Sequence, residues 1–412
     1  VYNFEHKGAN QINKKQRILW GVRYQTEIIN DKLSEWKMID SAGYSLPQGN
    51  PGVIELLEVV KTKEKLSSGR VMGYTQYVFN KELKDTSELT FTVGVRANYW
   101  DLNGQTVVSP RATLAYKPNW KRDFLFKASG GYYCQPPFYR ELRNLYGEVN
   151  TNVKAQQSIH FLLSSDYNFR AWRRPFKFIT EAYYKSLSSI IPYEVDNVRI
   201  RYYAENSARG YATGIDMKVN GEFVKGIESW ASLSIMQTKE DILNDYYYDY
   251  YNKSGEKIVS GYTLDTQRAD SIRHEPGSIP RPTDQRVSFS IFFQDYLPRF
   301  PDFKMHLNLL FGTSIPFGPP DFAKYRDTLK MPPYRRVDIG FSYQVIKEEK
   351  PLSKHNPFHN FKSVWISMEV FNLLDVNNTV SYLWIKDISN RSYAIPNYLT
   401  GRILNIRTIA RF

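Results

Sequence analysis

The sequence G-R-I-L-N-I-R-T-I-A-R-F occupies residues 401–412 at the end of the chain. From Leu404 onward, apolar and polar residues occupy alternate positions: Leu404, Ile406, Thr408, Ala410 and Phe412 against Asn405, Arg407 and Arg411. Successive residues of a β-strand point to opposite faces, so this stretch predicts a strand with one apolar and one charged face. Such a strand fits a soluble sandwich as well as a membrane barrel. Recurrence of the pattern along the chain decides between them.

The alternation recurs over the whole chain. The candidate strands are 1–6, 16–29, 69–80, 89–99, 108–117, 123–133, 155–169, 175–187, 208–222, 227–238, 285–296, 303–315, 333–346, 362–386 and 401–412. One of the clearest places Val287, Phe289, Ile291 and Phe293 against Arg286, Ser288 and Ser290. No convincing helix pattern lies among them. The sequence therefore predicts an all-β fold with about 15 strands.

Composition narrows the class of protein. Aromatic residues make up 15% of the 412 residues, while the mean hydropathy is −0.50. No run approaches the roughly 18 apolar residues of a membrane-spanning helix. Barrel strands need only about 9 to 11 residues with half of them facing lipid, so a membrane barrel is compatible with this composition.

Cysteine count and charge exclude several further classes. The single cysteine, Cys134, excludes an internal disulfide framework. No signal peptide is visible, and we therefore expect a mature chain or a fragment. The formal net charge of +13 favours anionic partners. Lysine and arginine are dispersed without a basic run, so nucleic acid is not an expected partner.

The connections between strands alternate in length. Short connections are expected at 7–15, 81–87, 118–122, 170–174, 297–302 and 347–361, and long ones at 30–68, 134–154, 188–207, 239–284 and 316–332. The turn at 101–106 is the main exception. Short periplasmic turns and long extracellular loops are typical of an outer-membrane barrel, whereas a sandwich has no reason to sort its loops in this way.

Aromatic residues cluster at the expected strand ends: Tyr99, Trp100, Tyr132, Tyr133, Tyr183, Tyr184, Tyr296 and Tyr343. This placement is typical of the aromatic girdles at the two membrane interfaces, although the β-propensity of aromatic residues gives a similar enrichment. Single-chain bacterial barrels close with an even number of strands, whereas about 15 are predicted here. An unclosed sheet would expose its edges to lipid. We therefore expect additional strands outside this sequence.

Nine short phrases resemble, in order, the C-terminal part of a TonB-dependent outer-membrane receptor of the Bacteroidetes type. They are G-V-R-A-N-Y at 94, S-P-R-A-T-L-A-Y-K-P at 109, G-G-Y-Y-C-Q-P-P-F-Y-R-E-L at 130, E-A-Y-Y-K at 181, G-Y-A-T-G-I-D at 210, R-P-T-D-Q-R at 281, P-P-Y-R-R-V-D at 332, E-V-F-N-L-L-D at 369 and the terminal G-R with its alternation. The resemblance covers essentially all 412 residues as a single domain.

The resemblance implies an antiparallel transmembrane β-barrel, of which residues 1–412 supply about 15 C-terminal strands of a 22-stranded barrel. The expected partners are a plug domain and strands absent from this chain, TonB acting through that plug, outer-membrane lipid and lipopolysaccharide, and a surface lipoprotein. The implied function is uptake of a scarce or large ligand such as a siderophore, haem, vitamin or glycan, with no cofactor. A barrel that serves as a surface-binding or assembly scaffold without transport is the alternative, and a soluble sandwich lectin is a third interpretation.

The candidate functional residues face the expected lumen or lie in the long loops. The lumen candidates are Arg96, His160, Arg286, Arg336, Arg407 and Arg411. They form either a cationic funnel for an anionic ligand or contacts to plug carboxylates and water. The loop candidates are Tyr246, Tyr247, Tyr248, Tyr250 and Tyr251, which form either a stacking surface for a sugar or planar ligand or a tyrosine-rich hairpin.

The sequence offers little for catalysis or metal binding. His355 and His359 have helical spacing, but Pro357 lies between them, so no metal site is expected. Cys134 has no histidine near it in sequence, and Glu181 and Asp216 are explained by a wet lumen. The stretch 135–141 is expected to be structural. We therefore expect neither an enzyme nor a metal centre.

Overall fold

The computed structural model describes residues 1–39, 55–224, 227–259, 262–297, 300–319, 323–348, 350, 352–353, 355–387 and 391–412. The strands are β1 Tyr2–Asn13, β2 Gln16–Ile39, β3 Glu55–Glu82, β4 Glu88–Trp100, β5 Gln105–Lys117, β6 Asp123–Gln135, β7 Gln156–Ala171, β8 Arg174–Ile190, β9 Tyr193–Asp196, β10 Arg199–Tyr202, β11 Ala208–Val224, β12 Ile227–Ile242, β13 Tyr247–Tyr251, β14 Asp270–His274, β15 Ser278–Pro280, β16 Val287–Leu297, β17 Phe300–Gly312, β18 Pro316–Phe317, β19 Leu329–Lys330, β20 Tyr334–Ile346, β21 Ser363–Phe371, β22 Thr379–Lys386, β23 Ser392–Tyr398 and β24 Ile403–Arg411. Two 3₁₀ turns lie at Tyr139–Leu142 and Ala323–Tyr325. No helix in the described ranges is long and apolar enough to cross a membrane.

One antiparallel sheet forms the wall of the molecule. Its strand order is β1-β2-β3-β4-β5-β6-β7-β8-β11-β12-β16-β17-β20-β21-β24, with the short β15 paired to β12. Consecutive wall strands are neighbours throughout, and the strands between them in sequence form two-stranded hairpins in the loops. This confirms the all-β antiparallel prediction, and the described part of the wall path has 15 strands, in line with the expected number of about 15. That the barrel closes with 22 strands and that a plug domain fills it remain predictions.

The two faces of the wall differ in chemistry. On the apolar face, Leu163 and Ile406 are 66% and 68% exposed, and the apolar residues of neighbouring strands are aligned, as in the pairs Ile215 with Ile235 and Met368 with Ile406. A soluble protein rarely exposes so continuous an apolar surface. On the opposite face, hydroxyl groups hydrogen-bond across strands, as between Ser232 and Ser290 at 2.7 Å. Lipid on one face and water on the other is the environment that satisfies both.

Several wall strands are longer than their sequence predicts. The polar stretch 7–15, predicted as a turn, continues β1 to Asn13, and the predicted excursion 31–68 instead extends β2 to Ile39 and begins β3 at Glu55. Residues 40–54 of that excursion lie outside the described residues. Beyond the apolar band both faces of a strand are wet, so polar residues occupy both parities and the alternation disappears although pairing continues.

The predicted strand 362–386 is wrong, because it divides into β21 and β22. Asn372 and Asp375 have φ angles of 52° and 53°, and the Asn372 side-chain amide donates to the Val376 carbonyl at 3.0 Å. Asparagine and aspartate tolerate this left-handed conformation better than most residues. A long loop begins at this turn and carries the β22–β23 hairpin. It lies on the rim of the long loops, and the sequence did not predict it.

The aromatic girdle prediction holds only in part. Tyr99 lies exposed at the end of β4, but the adjacent Trp100 is buried under the loops, since neighbouring residues of a strand face opposite ways. Tyr133 likewise stacks on His160 at 4.2 Å. Tyr183 and Tyr184 lie in the middle of β8 rather than at its end. In each adjacent pair at most one ring can contact lipid.

Candidate functional site

The wall contains a groove of about 690 Å³ that is lined by positive charge. Arg96, Arg111, His160 and Lys185 lie along it on β4, β5, β7 and β8, and we call these four residues the basic groove. Register places them on one face, because Arg96 pairs with Ser109, and His160 pairs with both Gly131 and Lys185. Among the residues that the structure describes, no aspartate or glutamate lines the groove. Its charge is therefore not neutralised by the wall itself.

Other predicted lumen cations lie beside carboxylates of the wall. Arg336 Nε is 2.7 Å from Asp338, Arg407 Nη2 is 3.0 Å from Glu369, and Arg286 Nε is 2.9 Å from Asp284. Each of these carboxylates is largely buried. The sequence predicted plug carboxylates or water as the alternative partners, whereas these three carboxylates belong to the same sheet or its loop. Arg411, the sixth candidate, pairs across the sheet edge with Ser363.

Long loops above the basic groove pack around a small apolar core. Its buried members come from three loops and two strand ends: Trp100, Leu142, Val153, Ile191, Tyr202 and Ala204. The guanidinium of Arg70 lies 4.2 Å from the Trp100 ring centroid. Glu141 fixes the turn in the stretch 135–141 by accepting a hydrogen bond from the Phe138 amide at 2.7 Å. A purely structural role for the stretch 135–141 stays a prediction, because Gln135, Pro136 and Phe138 also line the groove.

Extension of β2 and β3 past the sheet braces these loops. Arg143 of the β6–β7 loop forms an ion pair with Asp31 and a hydrogen bond with Thr62. On the β9–β10 hairpin, Arg199 Nη1 lies 2.8 Å from Glu35. The loops are thus held by contacts to the β2–β3 hairpin, in a stretch that the sequence predicted to be a polar loop.

The tyrosine cluster forms the β13–β14 hairpin and is divided between its two faces. Tyr246, Tyr248 and Tyr250 follow one another on one face, with Arg273 4.3 Å from the Tyr246 ring and Arg268 4.0 Å from the Tyr250 ring.

On the opposite face, Tyr247 stacks on His274 at 5.2 Å. Asp249 there accepts from Lys257 and, at 3.1 Å, from Lys324. Tyr251 ends the strand. The structure thus shows the tyrosine-rich hairpin, and a stacking role for its outer face remains a prediction.

A second, partly open cavity of about 110 Å³ lies among the loop hairpins. We call it the loop cavity, and its walls include Tyr193, Phe317, Tyr382 and Trp384 with the acidic groups of Glu194 and Asp327. Burial, together with the charge of Glu240, raises the pKa of Asp327 to about 7, although Arg326 opposes the shift. Burial also raises the pKa of Glu194.

Sequence reasoning missed several of these residues. Arg111 and Lys185 belong to the basic groove and lie on the same face of the sheet as Arg96 and His160. The alternation within β5 and β8 was therefore a signal that could have found them. Asp327 lies in a loop without alternation, and nothing in the sequence distinguishes it from other loop carboxylates. Among the described residues no group of three His, Cys, Asp or Glu side chains is placed to hold a metal ion.

Known proteins share this fold. A family model described as TonB dependent receptor-like, beta-barrel matches residues 2–373. A search of curated proteins found no match.

Solved structures similar to the chain include the ferric enterobactin receptor of Pseudomonas aeruginosa, with 14% identity and a TM-score of 0.57 over 100% of this chain and 54% of that one. The ferric yersiniabactin uptake receptor of Yersinia pestis has 12% identity and a TM-score of 0.58, with 100% and 54% covered. The siderophore receptor PiuA of Acinetobacter baumannii has 11% identity and a TM-score of 0.56, with 99% and 56% covered. The chain spans about half the length of these structures, and at this identity the likeness concerns the fold.

Proposed function

The chain belongs to the TonB-dependent receptor β-barrel family, and from this premise we propose that it forms much of the wall of an outer-membrane transporter that imports a bulky anionic ligand. Members of this family are outer-membrane proteins and act as transporters rather than enzymes. The Bacteroidetes type, a plug that fills the lumen and energy supplied by TonB through that plug are further parts of the proposal, supported by the sequence phrases.

The basic groove is the observation that carries the choice of ligand. Arg96 and Arg111 are exposed on the polar face, and Lys185 is half-buried there. These three side chains form no ion pair within the described part of the chain, while Arg336 and Arg407 farther along the sheet lie against Asp338 and Glu369. Clefts lined by one sign of charge attract ligands of the opposite sign and raise their local concentration. Arg281 also lines the groove and is paired with Glu240, so Arg96, Arg111 and Lys185 are the charges that favour an anion at this place.

The long loops stand at the entrance in this proposal. The rim that carries them faces the cell surface, and the short turns face the periplasm. The outer face of the β13–β14 hairpin, with Tyr246, Tyr248 and Tyr250, offers the first aromatic contact for an arriving ligand. The basic groove lies beneath the loop core and would receive the ligand next.

The proposal is tested by depletion of anionic compounds from a defined growth medium. Cells that carry the complete gene should deplete one or more anions, measured by mass spectrometry, only when TonB is functional. A variant with Arg96, Arg111 and Lys185 all changed to glutamine should deplete them at least tenfold more slowly. A matched variant with Lys14, Lys121 and Arg122 changed to glutamine removes three charges from the short-turn rim and should behave as wild type.

Two results would overturn the proposal. Depletion that does not depend on TonB contradicts active import. Depletion confined to neutral or cationic compounds, unaffected by the three groove substitutions, contradicts an anionic ligand and leaves plug carboxylates as the partners of the basic groove.

A further inference from the structure

The loop cavity is lined by three separate hairpins. The β9–β10 hairpin contributes Tyr193 and Glu194, the segment around β18 and β19 contributes Phe317 and Asp327, and β22 contributes Trp384. The Asn397 side-chain amide donates to the Asn197 side-chain oxygen at 2.6 Å and so joins the β22–β23 hairpin to the β9–β10 hairpin. The cavity is therefore built by tertiary contacts and is not a gap within one flexible loop.

Aromatic rings form one wall of this cavity. Phe317 stacks on Tyr382 with ring centroids 4.2 Å apart, and its centroid lies 5.9 Å from that of Trp384. Ile315 and Val380 continue the wall without adding a polar side chain. The electron-rich faces of aromatic rings attract cations, most strongly when water is excluded.

Asp327 supplies a carboxyl group that the rest of the loops leave unused. Across the described ranges its carboxyl oxygens form no hydrogen bond and no ion pair, although the residue lines the cavity. Its φ angle of 50° lies in the left-handed region. Gly318 packs directly against this turn, where an added Cβ would lie 2.0 Å from the Tyr325 carbonyl oxygen and 2.6 Å from the Asp327 amide. The close approach requires glycine at position 318 and packs it against the backbone of this turn.

The other charged groups in and behind the cavity are Glu194, Glu240 with Arg281, and Arg326, which lines the cavity and whose Nε has no hydrogen-bond partner among the described residues. Glu194 accepts a hydrogen bond from the Tyr203 hydroxyl at 3.1 Å, and Arg326 donates to that same hydroxyl. Arg281 Nε lies 2.9 Å from Glu240, which is buried behind the cavity. Among the described residues the lining thus carries two acidic groups, Glu194 and Asp327, and one cation, Arg326, and this excess of acidic groups favours a bound cation.

We infer that the loop cavity binds a small quaternary ammonium group, with Asp327 as its counter-ion and Phe317, Tyr382 and Trp384 as its aromatic wall. A cavity of about 110 Å³ accommodates a group of this size, because an apolar cavity of about 150 Å³ in another protein holds benzene. A primary ammonium needs three acceptors, whereas this wall offers mainly rings and alkyl groups, so the methylated cation fits better. This inference is independent of which anion the transporter imports.

The test uses the protein folded in dodecyl maltoside, since detergents with a choline head group would compete. Tetramethylammonium chloride and choline are titrated by isothermal calorimetry, with Trp384 fluorescence as a second signal that a Trp384→Phe variant should abolish. The neutral isostere 3,3-dimethylbutan-1-ol has nearly the same shape as choline without its charge. We expect choline to bind at least tenfold more tightly than this alcohol, and tetramethylammonium more tightly than methylammonium.

Substitutions locate the binding to the cavity. Asp327→Asn keeps the side-chain size and should weaken tetramethylammonium binding at least tenfold, while Asp270→Asn on β14 should leave it unchanged. Equal binding of choline and its isostere, unchanged binding by Asp327→Asn, or no tetramethylammonium binding by the folded wild-type protein would each overturn the inference. If the Asp327 variant does not fold, the comparison of choline with its isostere on the wild-type protein decides the question.

Discussion

Protonation of Asp327 should control how firmly the β18–β19 segment stays closed over the loop cavity. Burial, with the charge of Glu240, raises the pKa of Asp327 from 3.8 to about 7, and the opposing effect of Arg326 is smaller. In the opened segment the carboxyl group returns to its ordinary value. The closed state therefore holds the proton more tightly than the open state, and closure is most stable below about pH 4 and weakens as the pH rises towards 7.

The magnitude follows from the two pKa values. A shift from 3.8 to about 7 corresponds to about 4 kcal/mol in full, at roughly 1.4 kcal/mol for each unit of pKa. Between about pH 5.5 and about pH 8 the closed state loses about 2 kcal/mol of this, which is about a thirty-fold rise in the fraction open. Asp245, whose pKa burial raises to about 6, contributes in the same direction, so the Asp327 effect must be isolated by comparison with a variant.

Limited trypsin cleavage at Lys324, Arg326 and Lys330 measures this opening, because cleavage of a transiently open segment follows its open population. At each pH the cleavage rate of the wild-type protein is divided by that of Asp327→Asn, which cancels the pH dependence of trypsin itself. We expect this ratio to rise about thirty-fold between about pH 5.5 and about pH 8. The cleavage rate of the wild-type protein divided by that of Asp270→Asn is the control, and it should stay flat over this pH range because both proteins keep Asp327. A flat ratio for Asp327→Asn would refute the linkage.

Three further substitutions test the loops and the wall. Leu142→Ala removes a fully buried side chain from the loop core and should destabilise that core by about 2–5 kcal/mol, seen as faster proteolysis of residues 136–155 with the wall strands intact; unchanged proteolysis would contradict the packing. Asn372→Ala should lower the melting temperature because Asn372 has a left-handed φ and its side chain bonds to the Val376 backbone, whereas Asn372→Gly should recover part of the loss; equal effects would show that the conformation is unimportant. Tyr247→Ala should loosen the β13–β14 hairpin in hydrogen exchange, while Tyr248→Ala on the outer face should not, and the reverse order would contradict the assignment of the two faces.

Strand order and face were predictable from the sequence because the membrane imposes a strict period of two on the lipid-facing part of each strand. β4 and β24 lie within a residue or two of their predicted bounds for this reason. Above that band the constraint disappears, and β2 and β3 continue where the sequence shows only polar residues. The division of 362–386 depended on the left-handed turn at Asn372, which interrupts an otherwise plausible strand.

The candidate site was less predictable because it depends on neighbours that are distant in sequence. Strand parity predicted that Arg96 and Arg407 lie on one face, but only the register shows that Glu369 lies opposite Asn405 and beside Arg407. No carboxylate of the described residues lines the groove beside Arg96 and Arg111. The loop cavity joins three hairpins that lie far apart in sequence, at residues 193–202, 316–330 and 379–398. Its unpaired carboxyl group follows from tertiary packing and leaves no local pattern in the sequence.

The most direct test of the transporter proposal is the accessibility of the two rims on intact cells. With Cys134 changed to serine, a single cysteine is placed either at Lys253 in the β13–β14 loop or at Lys121 in the β5–β6 turn, both of which are exposed. A polymer-linked maleimide too large to cross the outer membrane should label Lys253→Cys on intact cells and Lys121→Cys only after the membrane is opened. Labelling of Lys121→Cys on intact cells, with Lys253→Cys protected, would contradict the proposed orientation and the role of the long loops as the entrance.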